Sequence, residues 1–337
     1  MRSMAMVVAL LAGCTPKQAP VAAGAEAQAP PAPMGGPWAT SVLADHPLVG
    51  RIWDVAGGRF VDVDAMVADL RSADHVLLGE KHDNPDHHRL QALLVRELAP
   101  PAVGFEMLDV GDPIADATTA DALAEASDWA NSGWPPFDFY RPIFDAAYGG
   151  GAKVIAAHPT REEVDVAMQQ GASALPAEAT AGLPDRPLPA EALASLSEEI
   201  VESHCGHAPD EVVQMMIRGQ ELKDAWMARA LQQAGEHSVL VAGGGHTRVD
   251  RGVPFYLDGK TETVQMVEVS RDEPDPASYD EPATYVWFTP RVDEDDPCEK
   301  FRQQLEAMRH AHAEDAEGDD DGDEEGEGAD EDEDADD

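Results

Sequence analysis

The chain has 337 residues and sets 23 Lys+Arg against 66 Asp+Glu, a formal charge of −43. Such an acidic chain excludes a nucleic-acid binder, because phosphate contacts require a basic footprint. Three cysteines are too few for a disulfide-stapled scaffold and form no CxxC pair, and no apolar run reaches membrane-spanning length.

The charge is uneven. Residues 314–337 hold 17 acids and no base; with those set aside, 49 acids face 23 bases, leaving −26 on residues 1–313. This end reads as an acidic disordered tail over 301–337, solvating or loosely gathering cations. At 43% hydrophobic, the remainder has material for a sizeable core.

The first residues carry one charge (Arg2), a short apolar stretch (Met4 to Leu11) and then Ala12-Gly13-Cys14. That order is the pattern of a secretory leader. Leu-Ala-Gly-Cys resembles the lipobox of bacterial lipoproteins, in which the cysteine becomes lipid-modified. Residues 1–13 are therefore expected as a signal peptide. Residues 14–40, rich in Ala and Pro, read as a tether too poor in large apolar groups to pack. The protein is then expected at the cell envelope, on an outer-membrane or periplasmic face, held to the bilayer through Cys14. Cys205 and Cys298 are left as a pair or as two separate thiols.

From residue 41 to 300, strand-like and helix-like segments alternate. Residues 75–78 form a short apolar run ended by Gly79, and 86–98 carry Leu90, Leu93, Leu94 and Leu98 at helical spacing before Pro100-Pro101. Residues 103–105 are the next strand, 118–129 and 140–148 two helices, 154–157 a strand and 161–170 a helix. Residues 173–189 read as a loop, followed by helices over 190–204 and 209–233. In the second of these, a stripe of Val212, Met215, Met216, Leu222 and Trp226 reads as core rather than as a cofactor box. Residues 238–242 are the clearest strand, with 263–269 and 284–288 after it. The alternation predicts an α/β fold, a mainly parallel β-sheet flanked by helices with a helical insertion around 170–235.

Four predicted strands run into chemically active side chains. They lead into Gly79-Glu-Lys-His-Asp-Asn84, Glu106, His158 and Gly243-Gly-Gly-His246. Ligands of parallel sheets bind beyond the carboxyl ends of the strands, so the four point to one site. In both Gly79-x-x-His82 and Gly243-x-x-His246, glycine is expected to let the backbone turn so that histidine faces the crevice. Glu80, His82, Glu106 and His246 suit a divalent metal (Mn, Fe, Co or Zn). Glu80 or Glu106 equally suits a general base beside a bound water.

These residues, together with Gly104-Phe-Glu106, the Trp134–Tyr140–Pro142 segment, His204-Cys-Gly206, Gln220-x-x-x-Asp224-x-x-Met227-Ala228 and Gly252-Val-Pro254, resemble the ChaN family. Those are haem-binding, iron-regulated bacterial lipoproteins of the Tiki/TraB/erythromycin-esterase superfamily. The resemblance covers about residues 45–300. It implies either haem held by a homodimer through side-chain ligands, or metal-dependent hydrolysis of a peptide or ester. Its strand-end motifs fall on His82, His246, Glu106 and Glu80. Tyr140 is the candidate haem-ligating tyrosine, its alternative being a core tyrosine with a satisfied hydroxyl. His158 is a further candidate at the cofactor. Arg248 and Arg251, just after His246, are candidates to hold haem or another small anionic ligand by its carboxylates, with Arg141 and Arg161 elsewhere; salt bridges to the protein's own acids are the alternative.

Overall fold

The computed structural model describes residues 37–296 together with 298, 299 and 302. The predicted leader, Cys14, most of the tether and nearly all of the acidic tail lie outside the described residues.

The elements in chain order are β1 (Ile52–Asp54), β2 (Arg59–Val61), α1 (Val63–Leu70), β3 (His75–Glu80), α2 (Pro85–Leu98), β4 (Ala102–Asp109), α3 (Ala120–Ala126) and α4 (Phe137–Gly149). There follow β5 (Lys153–His158), α5 (Arg161–Gln170), α6 (Ala177–Thr180), α7 (Ala190–Ser203), α8 (Asp210–Ala234), β6 (Ser238–Gly243), α9 (Val253–Tyr256), β7 (Thr261–Glu268) and β8 (Tyr285–Thr289). The strands form one sheet in the order β2-β1-β8-β7-β3-β6-β4-β5. From β8 to β5 all neighbours are parallel, whereas β1 pairs antiparallel with both β2 and β8. The expected α/β architecture is thus present, and the chain between β5 and β6 runs through α5 to α8. The β1–β2 hairpin and α1 are additions to the elements read from sequence, and α6 interrupts the predicted 173–189 loop.

Alternation along each central strand builds the two faces. Val76 and Leu78 of β3, with Val239 and Val241 of β6, pack beneath α1, α2 and α4. Leu77, Leu240 and Ala242 point the other way, into a cluster with Leu196, Val213, Met227 and Leu231 of α7 and α8. All are nearly or fully buried, and each such side chain contributes roughly 1.5–3 kcal/mol by leaving water.

Local signals set where the helices begin. Asn84 caps α2 by accepting from Asp86 N, with Pro85 in the first turn; Ala99, at φ 46°, ends it before the two prolines. Thr160 and Glu163 form a capping box on α5. Because β3 and β6 are in register with Glu80 opposite Gly243, their carboxyl ends lie level. The disulfide between Cys205 and Cys298, with Cα atoms 5.5 Å apart, ties the α7–α8 turn to the chain beyond β8.

Candidate functional site

Glu80, the last residue of β3, is buried, and its Oε1 accepts from the Tyr140 hydroxyl at 2.7 Å and faces His82 Nδ1 at 2.8 Å. Its Oε2 lies 3.1 Å from His88 Nδ1. His88 sits one turn into α2 with Nε2 3.0 Å from the His82 carbonyl, and Nδ1 also faces Gln91 Oε1. Both ring nitrogens face acceptors, surroundings that favour the imidazolium. Burial opposes that charge, but the Glu80 carboxylate outweighs it and raises the His88 pKa. In return, against its own burial, Glu80 is held far below the usual carboxylate range by His88 and His82.

Glu106, on β4, continues the network. Its Oε2 accepts from Gly243 N at 2.7 Å, and its Oε1 lies 3.2 Å from His246 Nε2. His246 follows β6 in a single 3₁₀ turn (Gly244–Thr247), and its Nδ1 meets Asp224 Oδ1 of α8 at 2.5 Å. Burial disfavours the His246 charge, yet Glu106 and Asp224 together push its pKa up to about 10. The Gln220 amide lies 3.0 Å from His246 Nδ1. His82 joins the two halves, with Nε2 3.9 Å from Glu106 Oε2 and its ring edge-on to Trp134 at 4.9 Å. Despite burial, Glu80 and Glu106 raise its pKa.

The structure therefore brings Glu80, His82, Glu106 and His246 together at the strand ends. Among the described residues, however, no group of three or more His, Cys, Asp or Glu is arranged to hold a metal ion. Glu80, His82, Glu106 and His246 lie instead partner to partner. Their donor atoms face one another in hydrogen bonds and ion pairs instead of a common centre.

The two glycines serve space more than turning. Neither Gly79 nor Gly243 has a positive φ. A Cβ on Gly79 would lie 2.0 Å from Gln265 Oε1 and 2.3 Å from Thr247 Oγ1, and one on Gly243 would lie 2.8 Å from His82 Nε2.

Tyr140 is fully buried and donates its hydroxyl to Glu80, so it occupies the core position left open as its alternative. Burial and the neighbouring Glu80 carboxylate hold its phenol far above the usual range. Arg251 is buried and ion-paired to Glu199, and Arg248 pairs with Asp250 and Glu199. Arg141 is engaged by Asp121 and Asp138. These three arginines answer the protein's own acids.

His158 stands apart, at the end of β5. Its Nδ1 faces the Pro159 carbonyl at 2.6 Å and Asp109 Oδ1 at 3.1 Å. Its ring lines a cavity of about 470 Å³ with Met107, Trp129, Trp134, Arg161, Lys223 and, at one wall, Glu106.

Sequence reasoning did not place Asp224, Gln220 or His88 in the site. The i, i+4 spacing of Gln220 and Asp224 on one helix, and two adjacent histidines in the turn after Gly79-x-x-His82, were the available signals.

Comparison with known proteins bears on this geometry. The family model described as haem-binding uptake, Tiki superfamily, ChaN matches residues 66–257. Among solved structures, ChaN of Campylobacter jejuni, determined with cofacial haem, aligns at a TM-score of 0.55 and 22% identity, covering 70% of this chain and 95% of that one. The type III effector HopBA1 aligns at a TM-score of 0.38 and 14% identity, covering 68% of this chain and 93% of its own. RRSP, a MARTX toxin effector domain from Vibrio vulnificus, aligns at 0.34 and 15%, covering 70% and 41%. No curated protein matches the sequence. With the family model spanning more than half of its length and the fold shared with ChaN of C. jejuni, the chain belongs to the haem-binding ChaN family of the Tiki superfamily.

Proposed function

We propose that this protein binds haem in the cavity beyond β4 and β5, with His158 as the iron ligand. The observation that carries the reading is the state of the His158 ring. Its Nδ1 faces two acceptors and so carries the proton, and no described residue bonds Nε2. An imidazole anchored in this way presents an oriented Nε2, the arrangement that metal-ligating histidines adopt. The indoles of Trp129 and Trp134 and the side chains of Met107 and Val164 supply apolar wall for a flat ring. The residues present therefore fit the group: His158 would hold it, and bound haem would supply an iron centre.

Lipid anchoring through Cys14, an envelope location and a part in iron uptake or handling belong to the same reading, supported by the lipobox-like sequence. Assembly as a homodimer is supported by the cofacial haem of the C. jejuni relative. Haemin titration followed in the Soret region tests the core claim. The expected result is a saturable spectral change that His158→Ala abolishes or weakens at least tenfold. No change in the native protein, or an unaltered His158→Ala spectrum, would overturn it.

A second reading, hydrolysis of a peptide or ester, is favoured by the Glu106–His246–Asp224 chain. A carboxylate and an imidazolium at 3.2 Å, steadied by a second buried carboxylate, form a pair suited to moving a proton. Turnover of ester or peptide probes that is lost in Glu106→Gln and His246→Ala would support it, and its response to chelation tells whether a metal takes part. Absence of any turnover would set it aside.

A further inference from the structure

The helical segment between β5 and β6 encloses a second cavity, of about 450 Å³, between the loop that leads into α7, one face of α8 and Tyr256 of α9. It shares no lining residue with the cavity that holds His158. The loop is fastened at both ends. Arg229 Nη1 donates to the Ala179 and Ala181 carbonyls, with its guanidinium 3.8 Å from the centre of the Trp226 ring. Arg186 donates to the Phe255 carbonyl and pairs with Asp258. Walls held in this way make a preformed cavity, and its volume lies in the range of small-molecule sites.

Three polar side chains at this cavity are left incompletely answered by the protein. Tyr256 is only 3% exposed, yet its hydroxyl makes no hydrogen bond with a described residue. A phenol this buried ordinarily finds a partner. Glu221 is half-buried and makes no ion pair among the described residues; burial and Asp224, three residues further along α8, raise its pKa against the Leu188 backbone. Arg218 donates from Nε and Nη2 to the Met168 carbonyl, which leaves Nη1 without a partner and the charge without an acid among the described residues. Arg218 and Glu221 stand at the i, i+3 spacing at which unlike charges on a helix meet, and they do not pair. Around them Leu183, Leu222 and Ala225 give the cavity an apolar wall.

We propose that this cavity is a binding site for a zwitterionic amino acid with an aliphatic side chain. The ammonium would donate to the Glu221 carboxylate and the Tyr256 hydroxyl, and the carboxylate would accept from Arg218. A simple anion would satisfy Arg218 but face Glu221, and a simple cation would do the reverse. A ligand that carries both charges answers both side chains, and its aliphatic part covers Leu183, Leu222 and Ala225. The site is separate from the haem reading and does not rest on it.

Calorimetric titration of the full protein with L-leucine and two analogues tests the assignment. 4-Methylpentanoate is leucine without its ammonium, and 3-methylbutylamine is leucine without its carboxylate. The native protein is expected to bind leucine saturably and at least tenfold more tightly than either analogue. Glu221→Gln should weaken leucine at least tenfold while leaving 4-methylpentanoate unchanged. Arg218→Gln should weaken leucine while leaving 3-methylbutylamine unchanged, and Tyr256→Phe should weaken leucine severalfold. Absence of saturable leucine binding at millimolar concentration overturns the proposal. Equal affinity for leucine and either analogue does so too, as does native-like leucine binding by Glu221→Gln. Arg218→Gln also removes the bonds to the Met168 carbonyl, so melting temperatures are measured alongside. Glu221 holds no ion pair, so its variant keeps the test decisive if Arg218→Gln fails to fold. No haem enters these titrations, which keeps their outcome distinct from that of the haemin experiment.

Discussion

Asp224 Oδ1 and His246 Nδ1 lie 2.5 Å apart in the buried layer between α8 and the end of β6. With Glu106 at the other ring nitrogen, His246 is a buried cation between two carboxylates. Removing one partner of such a pair leaves uncompensated charge, which typically costs about 3–5 kcal/mol. Asp224→Asn is expected to lower stability by about 3 kcal/mol in urea unfolding at neutral pH. It should also bring the His246 pKa down from about 10 towards neutrality in an NMR titration. A His246 titration identical to that of the native protein would refute the role assigned to Asp224.

Tyr140 and His158 are separated by their surroundings. Tyr140→Phe removes one buried hydrogen bond to an ionised carboxylate, for which about 1.5–3 kcal/mol is the usual cost. The haemin Soret spectrum should be unchanged, because the ring stays sealed in the core. Loss of the spectrum with preserved stability would reverse the assignments of the two residues.

The sequence made the parallel core legible because strand-end chemistry and continuous apolar runs coincide there. Val76 to Leu78 and Val239 to Ala242 are continuous apolar runs, and Glu80 and Gly243 follow them in register. The helix over 161–170 is equally plain, and the structure gives it a local capping box at Thr160 and Glu163. What escaped depends on distance in space. Asp224 reaches His246 from 22 residues away, and its i, i+4 spacing to Gln220 marks a helix face without saying which strand end that face meets. The β1–β2 hairpin is three residues per strand, too short for alternation to register. Arg248 and Arg251 are singled out in the sequence by proximity to His246 along the chain, which is not proximity to the cavity that holds His158.

His87 predicts the acid limb of the stability curve. It is fully buried, with Nδ1 accepting from Lys81 N and Nε2 2.9 Å from Thr289 Oγ1, and burial together with neighbouring His88 lowers its pKa to about 3. The unfolded chain takes up a proton near pH 6.5 while the folded one resists until about pH 3, so stability is lost as pH falls across that window. His246 has the opposite sign. Its contribution is present below about pH 6.5 and is lost as pH rises towards 10. Melting temperature against pH should therefore fall on both sides of neutrality. His87→Gln should flatten the acid limb, and a native-like acid limb in that variant would contradict the account.

The disulfide provides a test of how the helical segment is held. Cys205 and Cys298 close a loop with a sequence separation of 93, and chain-entropy arguments put such a crosslink at roughly 4 kcal/mol. α7 and α8 contribute Glu199, Gln220 and Asp224 to the site, so loosening their connecting turn reaches the network through the carboxylates that hold Arg251 and His246. Cys298→Ser is expected to lower the melting temperature by several degrees, and reductant to do the same to the native protein but nothing further to the variant. Because α8 also supplies Lys223 to the cavity, the variant should bind haemin more weakly while His158 remains in place on β5. Lower stability with undiminished haemin affinity would mean that α8 keeps its position without the crosslink, packed by Leu222, Trp226 and Leu231 alone.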